Sequence, residues 1–287
     1  MWSLPFMVNA FRAGTLVAVL AALAGYFVVL RRQTFAAHTL SVVGFPGATA
    51  AAWLGWSVTG GYLAASVAAA AVFALRPRAT GRRQRAESAV IGTAAAFALA
   101  CGFLFSTRSQ GSVDGTTALL FGSVLGISTG QVVTLTWLAV VVLVLLTVVA
   151  RPLLFGSLDP VVARAGGVPV RLLDAGFLVT LGAVIAMTAQ ITGALLVFAL
   201  LVLPAATAQR LTARPLRAAL VAVAIAVATT WVALTATFYT PYPVGFWLAD
   251  LAFAGFVLAT GVGAVRGRWH RSGRVAAVPA MVVGGTP

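Results

Sequence analysis

Long apolar runs separated by short polar punctuation make up nearly all of this 287-residue chain. A helix needs about 20 apolar residues to cross the hydrocarbon core of a bilayer. On that rule the pattern predicts nine crossings, over 9–30, 36–57, 59–75, 88–105, 130–150, 171–189, 191–209, 217–238 and 245–265. Only Gln190 separates the sixth from the seventh, so these two read either as separate crossings or as one broken element, and eight to ten crossings fit the pattern. Thr116 to Ser128 is apolar but too short to cross. It reads either as a re-entrant half-helix, whose backbone must then be buried in protein, or as a helix lying in the membrane interface. The expected fold class is all-α: a polytopic transmembrane helical bundle over 1–271, followed by a disordered cytoplasmic tail over 272–287, where Gly, Pro and small residues show no period.

Charge adds orientation. Hydrophobic residues make up 61% of the chain and charged residues 8%, which excludes a water-soluble globule and makes lipid the main solvent. All 19 basic residues are Arg. A net charge of +14 would suggest nucleic acid in a soluble protein, but these arginines punctuate apolar runs instead of forming one basic face, so no nucleic-acid partner is expected. Arg31 and Arg32, then Arg76 to Arg85, then Arg151, Arg164 and Arg171, then Arg210, Arg214 and Arg217, and last Arg266 to Arg274 occupy every second loop. Positive loops stay cytoplasmic. Seventeen of the nineteen arginines then fall on one side, with only Arg12 and Arg108 outside. The expectation is a multi-pass protein of the cell membrane, inner or plasma, with its N-terminus outside and its C-terminus in the cytoplasm. The first run exceeds a signal-peptide core and is followed by Arg31 and Arg32 instead of a cleavage site, so it reads as a retained helix.

The same inventory limits the chemistry. Without lysine there is no P-loop to reach nucleotide phosphates and no amine for an imine, so the chain is expected to hydrolyse no ATP by that route. Its five carboxylates, Glu87, Asp114, Asp159, Asp174 and Asp250, fall in expected loops or near the starts of crossings, which argues against a self-contained proton-coupled carrier. Two His and the lone Cys101 do not supply the nucleophile and base, or the ligand cluster, of an intramembrane enzyme.

Small residues recur at helical spacing, at Gly14, Ala18 and Ala22 and at Gly47, Ala51 and Gly55, as close helix packing in lipid requires. Proline has no N–H, so Pro46 frees the carbonyl of Val42 and Pro204 frees that of Leu200. Such a carbonyl either marks a simple kink or, in a protein-lined cavity, accepts from or coordinates a substrate. Between the fifth and sixth crossings, Asp159 suits an N-cap, Pro160 the first helical position and Gly166 a stop, which predicts a short helix through Val161, Val162, Ala163, Arg164 and Ala165 on the cytoplasmic side. It would either grip a soluble partner or lie on the lipid surface.

The stretch from Gly193 through Pro204 to Ala208 resembles a signature of the membrane permeases of zinc, manganese and iron ABC importers. Three further segments match in order: Arg31 to Phe35 followed by His38-Thr39-Leu40, then Thr117 to Gly122, and last Phe238-Tyr239-Thr240-Pro241, so that the similarity covers roughly 10–265. The resemblance implies a permease that forms the translocation pathway for a divalent transition metal, zinc or manganese first, with no permanently bound cofactor. It implies a second permease copy, identical or not, an extracytoplasmic metal-binding protein, and a separate cytoplasmic ATPase docked on the Asp159–Gly166 segment. Many members carry Asp and His one helical turn apart where this chain has His38 and Val42, so only one side-chain ligand, His38, is expected beside the pathway residues Val42, Pro46, Leu200 and Pro204. Loss of the second ligand keeps open a metal chelate as the alternative cargo; an ATP-independent secondary carrier is the more distant alternative, against which the scarcity of intramembrane acids counts.

Overall fold

The computed structural model describes residues 4–75, 82–109, 113–122 and 127–275 and is all-helical in those regions. The elements are α1 (Pro5–Leu30), α2 (Thr34–Trp53), α3 (Val58–Leu75), α4 (Arg82–Arg108), α5 (Val113–Phe121), α6 (Thr129–Leu158), α7 (Pro160–Ala165), α8 (Val170–Thr192), α9 (Val197–Leu211), α10 (Pro215–Tyr239) and α11 (Val244–Val275). Among the described residues seven helices are long and apolar enough to cross a membrane: α1, α3, α4, α6, α8, α10 and α11. The other two expected crossings correspond to α2, whose His, Thr and Ser lower its hydropathy, and to α9, which has 15 residues. Both pack inside the bundle, where a helix need not match lipid on every side. Residues 276–287 of the expected tail lie outside the described residues, and α11 runs through Val275.

Local chemistry sets the ends. α1 and α10 start with Pro at the first turn, where the missing N–H costs nothing. α1 closes with a Schellman turn: Gln33 N–H bonds to the Val28 carbonyl, Arg32 N–H to that of Val29, and Arg32 takes the left-handed conformation at φ 54°. Ser128 and Gln131 cap each other's backbone at the start of α6. α6 then runs 30 residues, so Arg151, expected in a loop, lies in its last turns. Nothing stops that helix before Asp159 and Pro160.

The chain sorts into two ends. Arg31 meets Ser157 and Asp174, and Gln209 Nε2 donates to the Tyr26 carbonyl at 3.0 Å, so the ends of α1, α6 and α9 and the start of α8 meet at an arginine-rich end. At the opposite end Asn9 reaches Thr129, and Thr59 donates to Gln190. α1 and α8 are the inner helices, with 67% and 61% of their apolar windows buried, against 17% for α3 and for α4. Backbones approach closely at the small residues. Gly47 and Ala51 of α2 pack on Gly61 of α3, while Gly14 of α1 lies under Thr230 and Leu234 of α10. Gly55 departs from the packing role its spacing suggested. It sits beyond α2 at φ 72° with nothing near it, and ends the helix through a Trp56 N–H bond to the Ala51 carbonyl.

Candidate functional site

His38 lies in the second turn of α2, half-buried, with its ring edge-on to Phe198 of α9 at 5.3 Å between centroids. Its Nδ1 is buried and makes no hydrogen bond. Val42 is 2% exposed, one turn further along α2. Around Pro46 the polar side chains serve neighbouring carbonyls: Ser41 Oγ donates to His38, the Tyr62 hydroxyl to Ser41, and Thr49 Oγ1 to Phe45 and Pro46. None of these donors reaches the carbonyl of Val42. On α9, Leu200 and Pro204 are both buried, and Leu200 follows Phe198 by two residues. The expected pathway residues therefore belong to two neighbouring helices that touch through the His38–Phe198 contact, with Pro46 two turns away from His38. Among the described residues no three His, Cys, Asp or Glu side chains lie close enough together to hold a metal ion.

α9 begins at a break in the helical backbone. Gly193 ends α8 at φ 81°, so the sixth and seventh crossings are two helices joined by Gly193 to Leu196, with Gln190 inside the first. The turn is held by the short helix α5. Ala194 N–H donates to the Leu119 carbonyl at 3.0 Å and Leu195 N–H to that of Leu120 at 3.2 Å, which satisfies two of the last carbonyls of α5. Gly122, at φ 88°, and Gly245 of α11 complete the contact, since a Cβ at either would strike backbone of the Ile191–Thr192 or Phe121 carbonyls. The last carbonyls of α5 are thus met by protein backbone, with Leu120 buried and Phe121 exposed, while residues 123–126 of the expected half-helix or interfacial segment lie outside the described residues. Beside it an open apolar cleft of about 530 Å³ is lined by Phe121, Leu196, Tyr242, Phe246 and Phe253, with Asp250 as its charged group.

The predicted short helix is α7. Asp159 Oδ1 accepts from the N–H groups of Val161 at 3.1 Å and Val162 at 3.0 Å, and Pro160 occupies the first helical position. Gly166 is the C-cap, but the left-handed residue that closes the turn is Gly167, at φ 79°. Ala163 is fully buried and seats the helix against the bundle, whereas Val161 and Val162 are 69% and 52% exposed, beside exposed Leu158, Arg164 and Ala165. The result is an apolar knob projecting at the arginine-rich end.

A polar cluster that sequence reasoning missed lies at the flanks of this knob. The Arg31 side chain, 4% exposed, pairs with Asp174 of α8, donates from Nη1 to Ser157 Oγ of α6 at 3.4 Å, and stands 5.4 Å over the Phe177 ring. In the sequence Arg31 is one more topology marker and Asp174 a carboxylate near the start of a crossing. No spacing rule joins residues so far apart along the chain.

The sequence model of the ABC 3 transport family matches residues 3–262. The chain is similar to the manganese transport system membrane protein MntC of Halalkalibacterium halodurans, 29% identical over 213 residues that cover 74% of this chain and 72% of the relative. It is also similar to the chelated iron transport system membrane protein YfeC of Yersinia pestis, 29% identical over 234 residues, or 82% of this chain and 78% of the relative. Among solved structures it shares the fold of a chain of PsaBC from Streptococcus pneumoniae in complex with Fab, with a TM-score of 0.79 at 21% identity, covering 89% of this chain and 91% of that one.

Proposed function

This chain belongs to the ABC 3 transport family, and from that membership we propose that it is the membrane-spanning permease subunit of an ABC importer for divalent transition metals, manganese or iron foremost. The observation that carries the reading is the family match across almost the whole bundle, 3–262, together with the exposed α7 knob. Of the metals expected, manganese and iron appear in the names of the relatives above, while zinc gains no specific support from them.

In this reading the arginine-rich end faces the cytoplasm, and a separate ATPase docks on Asp159 to Gly166, receiving Val161 and Val162 in a groove. ATP hydrolysis belongs to that partner. An extracytoplasmic binding protein delivers cargo at the opposite end, and a second permease copy completes the pathway along α2 and α9. His38 is the residue proposed to meet the metal, supported by its buried Nδ1 without a partner, and the Val42 carbonyl freed by Pro46 supplies an oxygen one turn away. A neutral imidazole suits iron better than manganese, which prefers oxygen ligands.

The test is reconstitution of the chain with its cognate ATPase and binding protein, and measurement of ATP hydrolysis with manganese, iron or zinc. Stimulation by one loaded binding protein is expected, and no stimulation by any of them would overturn the reading. His38→Ala is expected to cut uptake about tenfold or more with the amount of assembled complex unchanged, as measured by radiometal accumulation in vesicles. Uptake equal to that of the parent would remove His38 from the pathway. A second reading, a metal chelate as cargo, is favoured by the single imidazole and by the apolar cleft beside α5, whose size suits an organic complex. Under it, uptake depends on the chelator and tolerates His38→Ala.

A further inference from the structure

We infer that Arg31 is the positioning residue that carries movement of α7 to the transport pathway, by tying both flanks of that helix to α1; this rests on the ATPase-coupled reading above. α7 has only two covalent connections to the bundle, α6 before it and α8 after it. Ser157 is the penultimate residue of α6 and Asp174 stands in the second turn of α8, so each marks one flank close to the knob. One guanidinium engages both, over the face of Phe177. A displacement of α7 that shifts either flank therefore pulls on Arg31.

From Arg31 the connection runs into rigid backbone. Arg31 is the C-cap of α1, and Arg32 behind it is locked in the Schellman turn, which fixes the direction in which the side chain leaves the helix. One to two turns back, α1 is joined to α9 twice: Gly25 packs on the Leu201 carbonyl, and the Tyr26 carbonyl accepts from Gln209 Nε2. α9 carries Leu200 and Pro204 and touches His38 through Phe198. The series from α7 through Arg31, α1 and α9 to His38 is thus contiguous, as transmission between sites needs, and contiguity becomes coupling only when a variant alters it. The choice of residue types points the same way. Apolar side chains would fill this space at lower desolvation cost than an ion pair, whereas a planar guanidinium fixes two partners in one geometry.

The experiment uses the full complex of permease, ATPase and binding protein in vesicles, with metal uptake and ATP hydrolysis read side by side. Arg31→Met keeps most of the side-chain length and removes the fork. It is expected to leave hydrolysis within about twofold while uptake falls about tenfold or more, so that metal moved per ATP drops on the scale typical of coupling between sites. Asp174→Asn should do the same, and Arg31→Lys should restore part of the ratio. An unchanged ratio of uptake to hydrolysis overturns the inference, whether both rates stay at the parent level or both fall with the amount of assembled complex. Should Arg31→Met fail to assemble, Arg31→Lys carries the test alone, with a smaller drop in the ratio expected and an unaltered ratio overturning the inference. A parent complex that shows no metal-stimulated hydrolysis overturns the underlying function instead, whatever the variants do.

Discussion

Replacing both Val161 and Val162 by Glu is expected to abolish ATP-driven uptake and co-purification with the ATPase while the permease itself stays folded. Both side chains project from α7 into the open, 69% and 52% exposed, and what these two residues give to α7 comes from their backbone, the N–H groups offered to Asp159 and the Val162 carbonyl that accepts from Gly166. Glu keeps those N–H groups. A carboxylate at the second or third helical position is favoured by the helix dipole, so α7 should form at least as well as before. What changes is the docking face. Burying a valine in a partner's groove contributes about 1.5–3 kcal/mol, so the pair supplies roughly 3–6 kcal/mol that Glu cannot. That loss alone weakens association by about a hundredfold or more, before the cost of desolvating two carboxylates. Asp159→Ala makes a useful contrast, because losing the cap costs only about 0.5–2 kcal/mol and leaves both valines in place. Full co-purification of the double variant with undiminished uptake would show that the ATPase grips the permease elsewhere.

That α7 was legible at all follows from its chemistry being local. Asp159, Pro160 and Gly166 spell cap, start and stop within a few residues, and the structure has Gly166 as the C-cap with Gly167 after it in the left-handed conformation. The helices at the nine expected crossings were legible for a similar reason, since the length of an apolar run is read along the chain, and among the described residues seven of them are long and apolar enough to cross. Their contacts were not. Helices that are apolar all round show no preferred face in their pattern, so nothing in the sequence marks α1 and α8 as inner and α3 and α4 as outer. The end of α5 is joined to the Gly193 turn through backbone hydrogen bonds and approached by α11 at Gly245, contacts between distant segments to which the sequence contributes little beyond the glycines. Gly55 shows the opposite error, where correct spacing suggested packing and the residue is a helix terminator. The His38 environment was partly legible, because resemblance named the helix and the position, but its partner ring, Phe198, comes from the fold alone.

Gly25→Ala is expected to be among the most damaging single methyl additions in the bundle. A Cβ at this position would lie 1.7 Å from the Leu201 carbonyl oxygen and 2.8 Å from its carbon. Neither side can yield by rotating a side chain, since both are helix backbone, and α1 is the most buried of the candidate spans. The helices would have to separate by more than an ångström, along a contact that also includes the Gln209–Tyr26 hydrogen bond. In lipid no hydrophobic drive holds two helices together, so the lost van der Waals contact is not offset elsewhere. Overpacking typically costs about 1–3 kcal/mol where neighbours can shift, and an opposing backbone puts this case at or above the top of that range. Two other glycines calibrate the effect. Gly14 meets only side-chain carbons of Thr230 and Leu234, at 3.1 and 3.2 Å, so Gly14→Ala should cost less. Gly176 in α8 has nothing within 4 Å, and Gly176→Ala should stabilise by up to about 1 kcal/mol through helix propensity. Thermal unfolding of the three purified variants in detergent reads the order directly, with Gly25→Ala lowest and Gly176→Ala at or above the parent. A Gly25→Ala protein as stable as the parent would mean that α1 and α9 do not meet backbone to backbone, and would remove the same link from the path between Arg31 and His38.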